Sequence, residues 1–313
     1  MTLAIHVPSI PAPRGANSRG PRARSARVGD TIADLGKRYA AEMNASPFAT
    51  ALRRRHVPRR SYVAFLATMY PVVVGFNRAL IRSIAKVDHV RQSTFVRALA
   101  EQIQEEQAHN QLWRGMLEVF DVDHERLYDD LQESLDAFSP AELDACTAAV
   151  VSAVRRDLRA GASGRFAGTI FPDAVLALYH HLWNSATDEN VSYWEHFASQ
   201  AGIEMVIFDV VTASILPSVL GHPELDRGIA STHWWTEHGQ PPIHASSERR
   251  TDEEKHLALS RMALNRSETA NAVADAVEAR AEDTMRLFAA ALIAQSPYDH
   301  AFPIERYLKT RNP

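Results

Sequence analysis

Tyr62-Val63-Ala64-Phe65-Leu66-Ala67-Thr68-Met69-Tyr70-Pro71-Val72-Val73-Val74-Gly75-Phe76 contains no charged residue and sits inside a longer, mostly apolar run, residues 59–87. It shows no strand-like alternation of apolar and polar positions and reads as a long helix. Pro71 removes one backbone donor inside it and predicts a kink there. The stretches on either side have the same character, with no Asn-Gly or Asp-Gly hairpin turn and no run of alternation. The expected fold is therefore all-α, a helical bundle.

Upstream, residues 30–44 form a candidate first helix, and Ser46-Pro47 supplies an N-cap followed by proline at the first helical position. Downstream, residues 90–120 read as one helix. Ser139-Pro140-Ala141-Glu142 then opens another, with a serine cap and a glutamate three residues later, running to residue 159 before the Gly161-Ala162-Ser163-Gly164 break. Phe171-Pro172-Asp173 starts a helix expected to reach residue 200, and residues 203–220 form a further apolar segment. Residues 225–238 end at Gly239-Gln240-Pro241-Pro242. Ser246 or Ser247 can cap the next helix, through residue 264, before a closing helix at 267–294 and a short piece at 304–308. The economical division is a basic tail, residues 1–29, and one helical domain, residues 30–313.

Composition narrows the chemistry. The 313 residues carry a formal charge of -4, but residues 1–29 hold five arginines and no acid, which leaves 29 basic against 38 acidic residues in the remainder. A mildly acidic body lacks the basic face that nucleic-acid phosphates require, so no nucleic-acid partner is expected. The tail, rich in Pro, Gly, Ser and Arg, reads as a solvated leader. Cys146 is the only cysteine, so neither an internal disulfide nor a thiolate metal site is available. It reads as a small core residue. With no run of 18 or more uncharged apolar residues and no signal-peptide core, the expectation is no membrane span and a cytoplasmic location. A homodimer is left open.

Two helical turns pair acids with a histidine: Glu105/Glu106/His109 and Asp252/Glu253/His256. Residues three and four apart share a helix face, so each turn can offer an oxygen and a nitrogen to one metal ion. In bundles that bind two iron or manganese ions, two helices each supply such a Glu-x-x-His turn and two others supply a single glutamate. With 14 histidines, about one Glu-x-x-His match is expected by chance and two are found. What distinguishes them is the doubled acid, a mid-helix setting and the apolar stripe that follows each. An exposed pair stabilising its helix by about 0.2–0.5 kcal/mol is the plain alternative. A buried network without metal is another. His238 lies at a helix end near the second turn, and Glu189, with Asp188 and Glu195, falls where a further carboxylate is wanted. His180, His181 and His196 share a segment with Trp183 and Trp194, where a satisfied core histidine is the simpler reading. No dinucleotide-binding or Walker loop and no Gly-x-Ser-x-Gly elbow is present.

Pro47-Phe48-Ala49-Thr50-Ala51-Leu52, the apolar stretch 62–76 and Glu105-Glu106-Gln107-Ala108-His109 together resemble the haem-oxygenase-like superfamily. That group includes thiaminase-II type proteins, the cofactor-free pyrroloquinoline-quinone synthase and non-haem di-iron oxidases and oxygenases. The resemblance implies a haem-oxygenase-like bundle in which Glu106, His109, Glu253 and His256 hold iron, one or two ions, with manganese an alternative. Glu105, Asp252, His238 and Glu189 are further candidates. It implies activation of O2 to oxidise a small organic substrate, by N-oxygenation of an amine or an oxidative C–C or C–H step, in the making of a specialised metabolite. Trp113, Trp183 and Tyr179 are expected to line the pocket. A cofactor-free oxidase or thiaminase-like hydrolase of the same fold is the alternative. The sequence departs from the di-iron pattern in two places: residues 62–87 hold no glutamate, and Arg249 stands seven residues before His256 where a histidine is usual.

Overall fold

A computed structural model describes residues 27–87, 89–90, 93–162, 164, 166–239, 252–298 and 302–309; within these, the side chains of 93–95, 98, 162, 252, 253 and 255 lie outside the described set. The chain is all-α, with no strand among the described residues beyond an isolated bridge between Val122 and Leu308. The helices are α1 (Val28–Asn44), α2 (Pro47–Arg53), α3 (Arg59–Ser83), α4 (Ser93–Val119), α5 (His124–Asp136), α6 (Pro140–Arg156), α7 (Asp173–Thr187), α8 (Tyr193–Val210), α9 (Leu216–Val219), α10 (Ile229–His238), α11 (Asp252–Arg266), α12 (Glu268–Ala272) and α13 (Ala274–Ile293).

The predicted caps form. Ser46 accepts from the Ala49 amide, and Ser139 with Glu142 closes a full capping box. Three boundaries differ from expectation. The segment expected at 171–200 is two helices, because Asp188 turns back to accept from the Asn190 amide and Ser192 with Glu195 builds a second capping box. Gly202 does not stop α8; the helix runs through it, and a π-helical turn, Val211–Ile215, joins it to α9. The closing helix is broken at Val273 into α12 and α13. One helix, α5, was not expected at all: Asp123 caps it after a left-handed residue at Asp121 (φ 63°). The caps proposed at Ser246 and Ser247, and most of the basic tail, lie outside the described residues.

The buried apolar side chains form one continuous cluster. Its centre is α8 packed on α13 and α1, with α3 packed on α7 and α4, and α10 closing over α4. At Gly75 the α3 backbone approaches α7 so closely that a Cβ would sit 2.7 Å from the Tyr179 ring. Contrary to expectation, two helical stretches, Arg59–Lys86 and Tyr193–Val219, are long and apolar enough to cross a membrane by length and composition. The expectation looked for runs without charge, and a few charged residues interrupt both stretches. Most of each apolar window is buried inside the bundle, 83% and 67% respectively, where a central helix needs the same apolar surface.

Candidate metal centre

The first acid–histidine turn points inward. On α4, Glu106 is 6% exposed and His109 lies beside it, its Nδ1 3.3 Å from Glu106 Oε2. From α10, His238 reaches the same place: its ring centroid is 4.3 Å from that of His109. One ligand atom each from Glu106, His109 and His238 can be chosen so that all lie within 4.8 Å of one another, and no other His, Cys, Asp or Glu group among the described residues converges in this way.

His238 is aimed by its own helix. Its Nδ1 is 2.8 Å from the Trp234 carbonyl, which can only accept, so Nδ1 carries the proton and Nε2 keeps its lone pair. Orienting a ligand imidazole through its other nitrogen is how outer partners commonly prepare metal sites. The ring also stacks on Trp234, with centroids 3.8 Å apart. Burial holds His238 neutral, pushing its pKa down to about 4, with the neighbouring His109 adding to the effect. For Glu106, burial acts to raise the pKa, but the hydrogen bond and charge of His109, helped by His238 and His256, outweigh it and hold the carboxyl below its ordinary value. The centre is thus an anion facing two imidazoles.

Beside it lies a cavity of about 70 Å³. That is several times the ~10–15 Å³ one water requires on the same kind of measure. Phe65, Met69, Val72, Val73 and Phe76 of α3 form one wall, and Trp113, Trp234 and Trp235 another. The three indoles pack edge to face at centroid distances of 4.8–5.4 Å. Ile207, on α8 before the π-helical turn, and Ile215, the turn's last residue, line the cavity, which is a common setting for such turns.

Of the expected site residues, Glu106, His109 and His238 come together. Glu105 and His256 do not join them; they pair with each other, Oε2 to Nε2 at 3.2 Å, on a half-exposed rim where the Glu105 side chain is 54% exposed. The side chains of Asp252 and Glu253 lie outside the described residues. Glu189 is exposed in the turn between α7 and α8 and does not line the cavity, because the break before Ser192 takes it off the helix. The carboxylate that lines the cavity from the middle of the chain is Glu204 on α8, buried and accepting from Gln102 at 3.0 Å. Sequence reading passed over it because Ile203-Glu204-Met205-Val206 has no histidine at helical spacing. In place of a glutamate, α3 offers Asn77. Trp113 lines the cavity as expected, whereas Tyr179 and Trp183 pack instead against Arg78, by a hydrogen bond of 2.7 Å and a cation–π contact of 4.5 Å. His180 and His181 belong to other pairs, with Asp144 and Thr284.

No protein-family model and no curated protein matches the sequence. Among solved structures, the chain is similar to a TenA homolog from Pseudomonas syringae pv. tomato: TM-score 0.53 and 16% identity, covering 89% of this chain and 98% of that one. The likeness is one of fold, and the fold is the haem-oxygenase-like bundle.

Proposed function

We propose that this protein is a non-haem iron-dependent oxidase or oxygenase that uses O2 to oxidise a small organic substrate, by N-oxygenation or by an oxidative C–C or C–H step in specialised metabolism. The observation that carries the reading is the buried convergence of Glu106, His109 and His238 at one end of an apolar cavity. Two imidazoles and one carboxylate, with further positions open, is the donor set of non-haem Fe(II) oxygenases; hard all-oxygen ions are poorly matched to it. Burial opposes the charge of this carboxylate, His109 offsets that opposition, and a bound cation would add to the same compensation. Bound there, iron would supply the one-electron chemistry by which O2 reacts with organic molecules.

The chain's own residues do the rest. Glu106, His109 and His238 would hold the ion, and the Trp234 carbonyl keeps the His238 ring turned toward it. Glu204 is the nearest source of a further carboxylate from α8, and with Asn77 on α3 the set favours one ion over two. The aromatic walls keep water from the reacting end. The test is to load purified protein with Fe(II) anaerobically and measure iron per chain. About one iron is expected, and background iron alone would end this reading.

A second reading is favoured by the likeness to a TenA homolog: a cofactor-free oxidase or thiaminase-like hydrolase in which Glu106 and His109 work as an acid–base pair. Activity that survives exhaustive chelation would select it.

A further inference from the structure

The helix α10 ends on a member of the triad. His238 is its last helical residue, and at Gly239 the backbone turns extended (φ -145°, ψ 161°), a conformation open to any residue. Gly239 is set apart by space instead. A Cβ there would lie 2.6 Å from Val211 Cγ1 and 3.3 Å from both the Thr212 amide nitrogen and the Trp235 carbonyl oxygen. Val211 and Thr212 open the π-helical turn, whose last residue, Ile215, lines the cavity. Such turns are uncommon and occur mostly at functional sites. This one touches both the cavity and the end of the helix that carries His238. The contact is stiff on the side of the turn. Val211 is fully buried, and a β-branched side chain has little freedom about χ1. Behind it, Ser214 accepts from Arg53 Nη1 at 2.5 Å and donates to Asn44, while the Ser218 hydroxyl donates to the Ser214 carbonyl at 2.5 Å. An atom added at Gly239 would therefore displace the end of α10, where the His238 ring lies between Trp234 and His109.

We infer that the π-helical turn fixes the place of His238, and that Gly239 is a positioning residue acting through its contact with Val211. This rests on the reading of His238 as a metal ligand. With no side chain at Gly239, α10 closes onto the turn until Val211 and Thr212 stop it. That stop sets how far the imidazole reaches toward Glu106 and His109, and metal–ligand distances tolerate changes of only about 0.2 Å.

A double-mutant cycle on the full chain tests this with two readouts. One is Fe(II) affinity by anaerobic titration; the other, on metal-free protein, is the rate at which diethyl pyrocarbonate modifies the buried His238, followed by peptide mass spectrometry. Gly239→Ala overfills the contact and should weaken Fe(II) ~10- to 100-fold and speed the modification, with the far-ultraviolet dichroism unchanged. Val211→Ala is a milder change that removes the stop, and should shift both readouts in the same direction by less. Combined, the two substitutions exchange one methyl-sized volume for another, and most of the loss should be recovered. Gly29→Ala is the control. A Cβ there would meet the Arg261 carbonyl at 2.4 Å, but Gly29 does not line the cavity, so this variant should lower the urea midpoint and leave both readouts unchanged. Modification rates unchanged in both single variants, a double variant as impaired as the two losses added, or an equal effect of Gly29→Ala would each overturn the inference. An unmutated protein that binds no iron would end the oxygenase reading, and the modification rates would still decide the positioning. Bound iron with additive losses would remove the positioning alone.

Discussion

The two acid–histidine turns have the same spacing and different surroundings. On α4, Glu106 is buried and His109 touches both it and the His238 ring. On α11, His256 keeps a quarter of its side-chain surface and pairs with the more exposed Glu105. The difference comes from what holds each helix. α4 lies against α3 and α10 and so turns this face into the core. α11 is tied to α1 by a polar latch at its far end: Asp30 accepts from Arg261 and Asn265, and the Gly29 amide donates to Asn265. A Cβ at Gly29 would lie 2.4 Å from the Arg261 carbonyl, so the two helices meet backbone to backbone. Spacing says which residues share a face; packing decides whether that face meets a cavity or water.

Removing a member of the buried turn should have the largest consequence. His109→Ala or Glu106→Ala should lower Fe(II) affinity by more than the ~10–100-fold typical of losing an outer partner. Anaerobic titration checks this, and a loss below tenfold would place the metal elsewhere. The half-exposed turn should respond less: Glu105→Ala removes a pair of the kind worth about 0–1 kcal/mol, and should shift metal affinity by under tenfold. A loss from Glu105→Ala equal to that from His109→Ala would erase the distinction between the turns.

Buried histidines outside the triad sharpen the comparison through pH. His196 is fully buried with neither ring nitrogen hydrogen-bonded among the described residues, and burial lowers its pKa to about 3. His181 is pushed to about 3 by burial and by nearby Arg280. Both folded values lie below the ~6.5 of an unfolded histidine, so the unfolded chain binds more protons between them. The stability they contribute is present above pH ~6.5 and is lost as pH falls toward 3, by up to ~1.4 kcal/mol per pH unit for each. His196→Leu should flatten this slope, seen as a smaller drop in urea midpoint between pH 7 and pH 5. An unchanged drop would show that His196 is not held neutral. Smallest of all, Asp30→Ala should speed amide exchange in α11 while leaving α4 as it was. Matched acceleration in both helices would mean that the latch supports the whole bundle.

Much of this was legible in the sequence. Ser46 and Ser139 mark their helix starts because a cap needs only local bonds, and the 62–76 stretch marks a central helix because nothing in it tolerates water. Glu106 and His109 were legible for the same local reason, and His238 was approachable only through its nearness to the second turn. Glu204 was not legible. It sits alone in an apolar run, and its place beside the cavity follows from α8 packing near α4, where Gln102 meets it. Glu189 misled because a two-residue Asx turn at Asp188 removes it from any helix face. The inequality of the two turns was hidden as well, since their local sequences match and only the packing of α4 and α11 separates them.

The geometry favours His238 over His256 as the third ligand beside Glu106 and His109. Anaerobic Fe(II) titration of His238→Ala beside His256→Ala tests it most directly. High-affinity binding should vanish in His238→Ala and persist within tenfold of the unmutated protein in His256→Ala. Binding that survives in His238→Ala and vanishes in His256→Ala would contradict it.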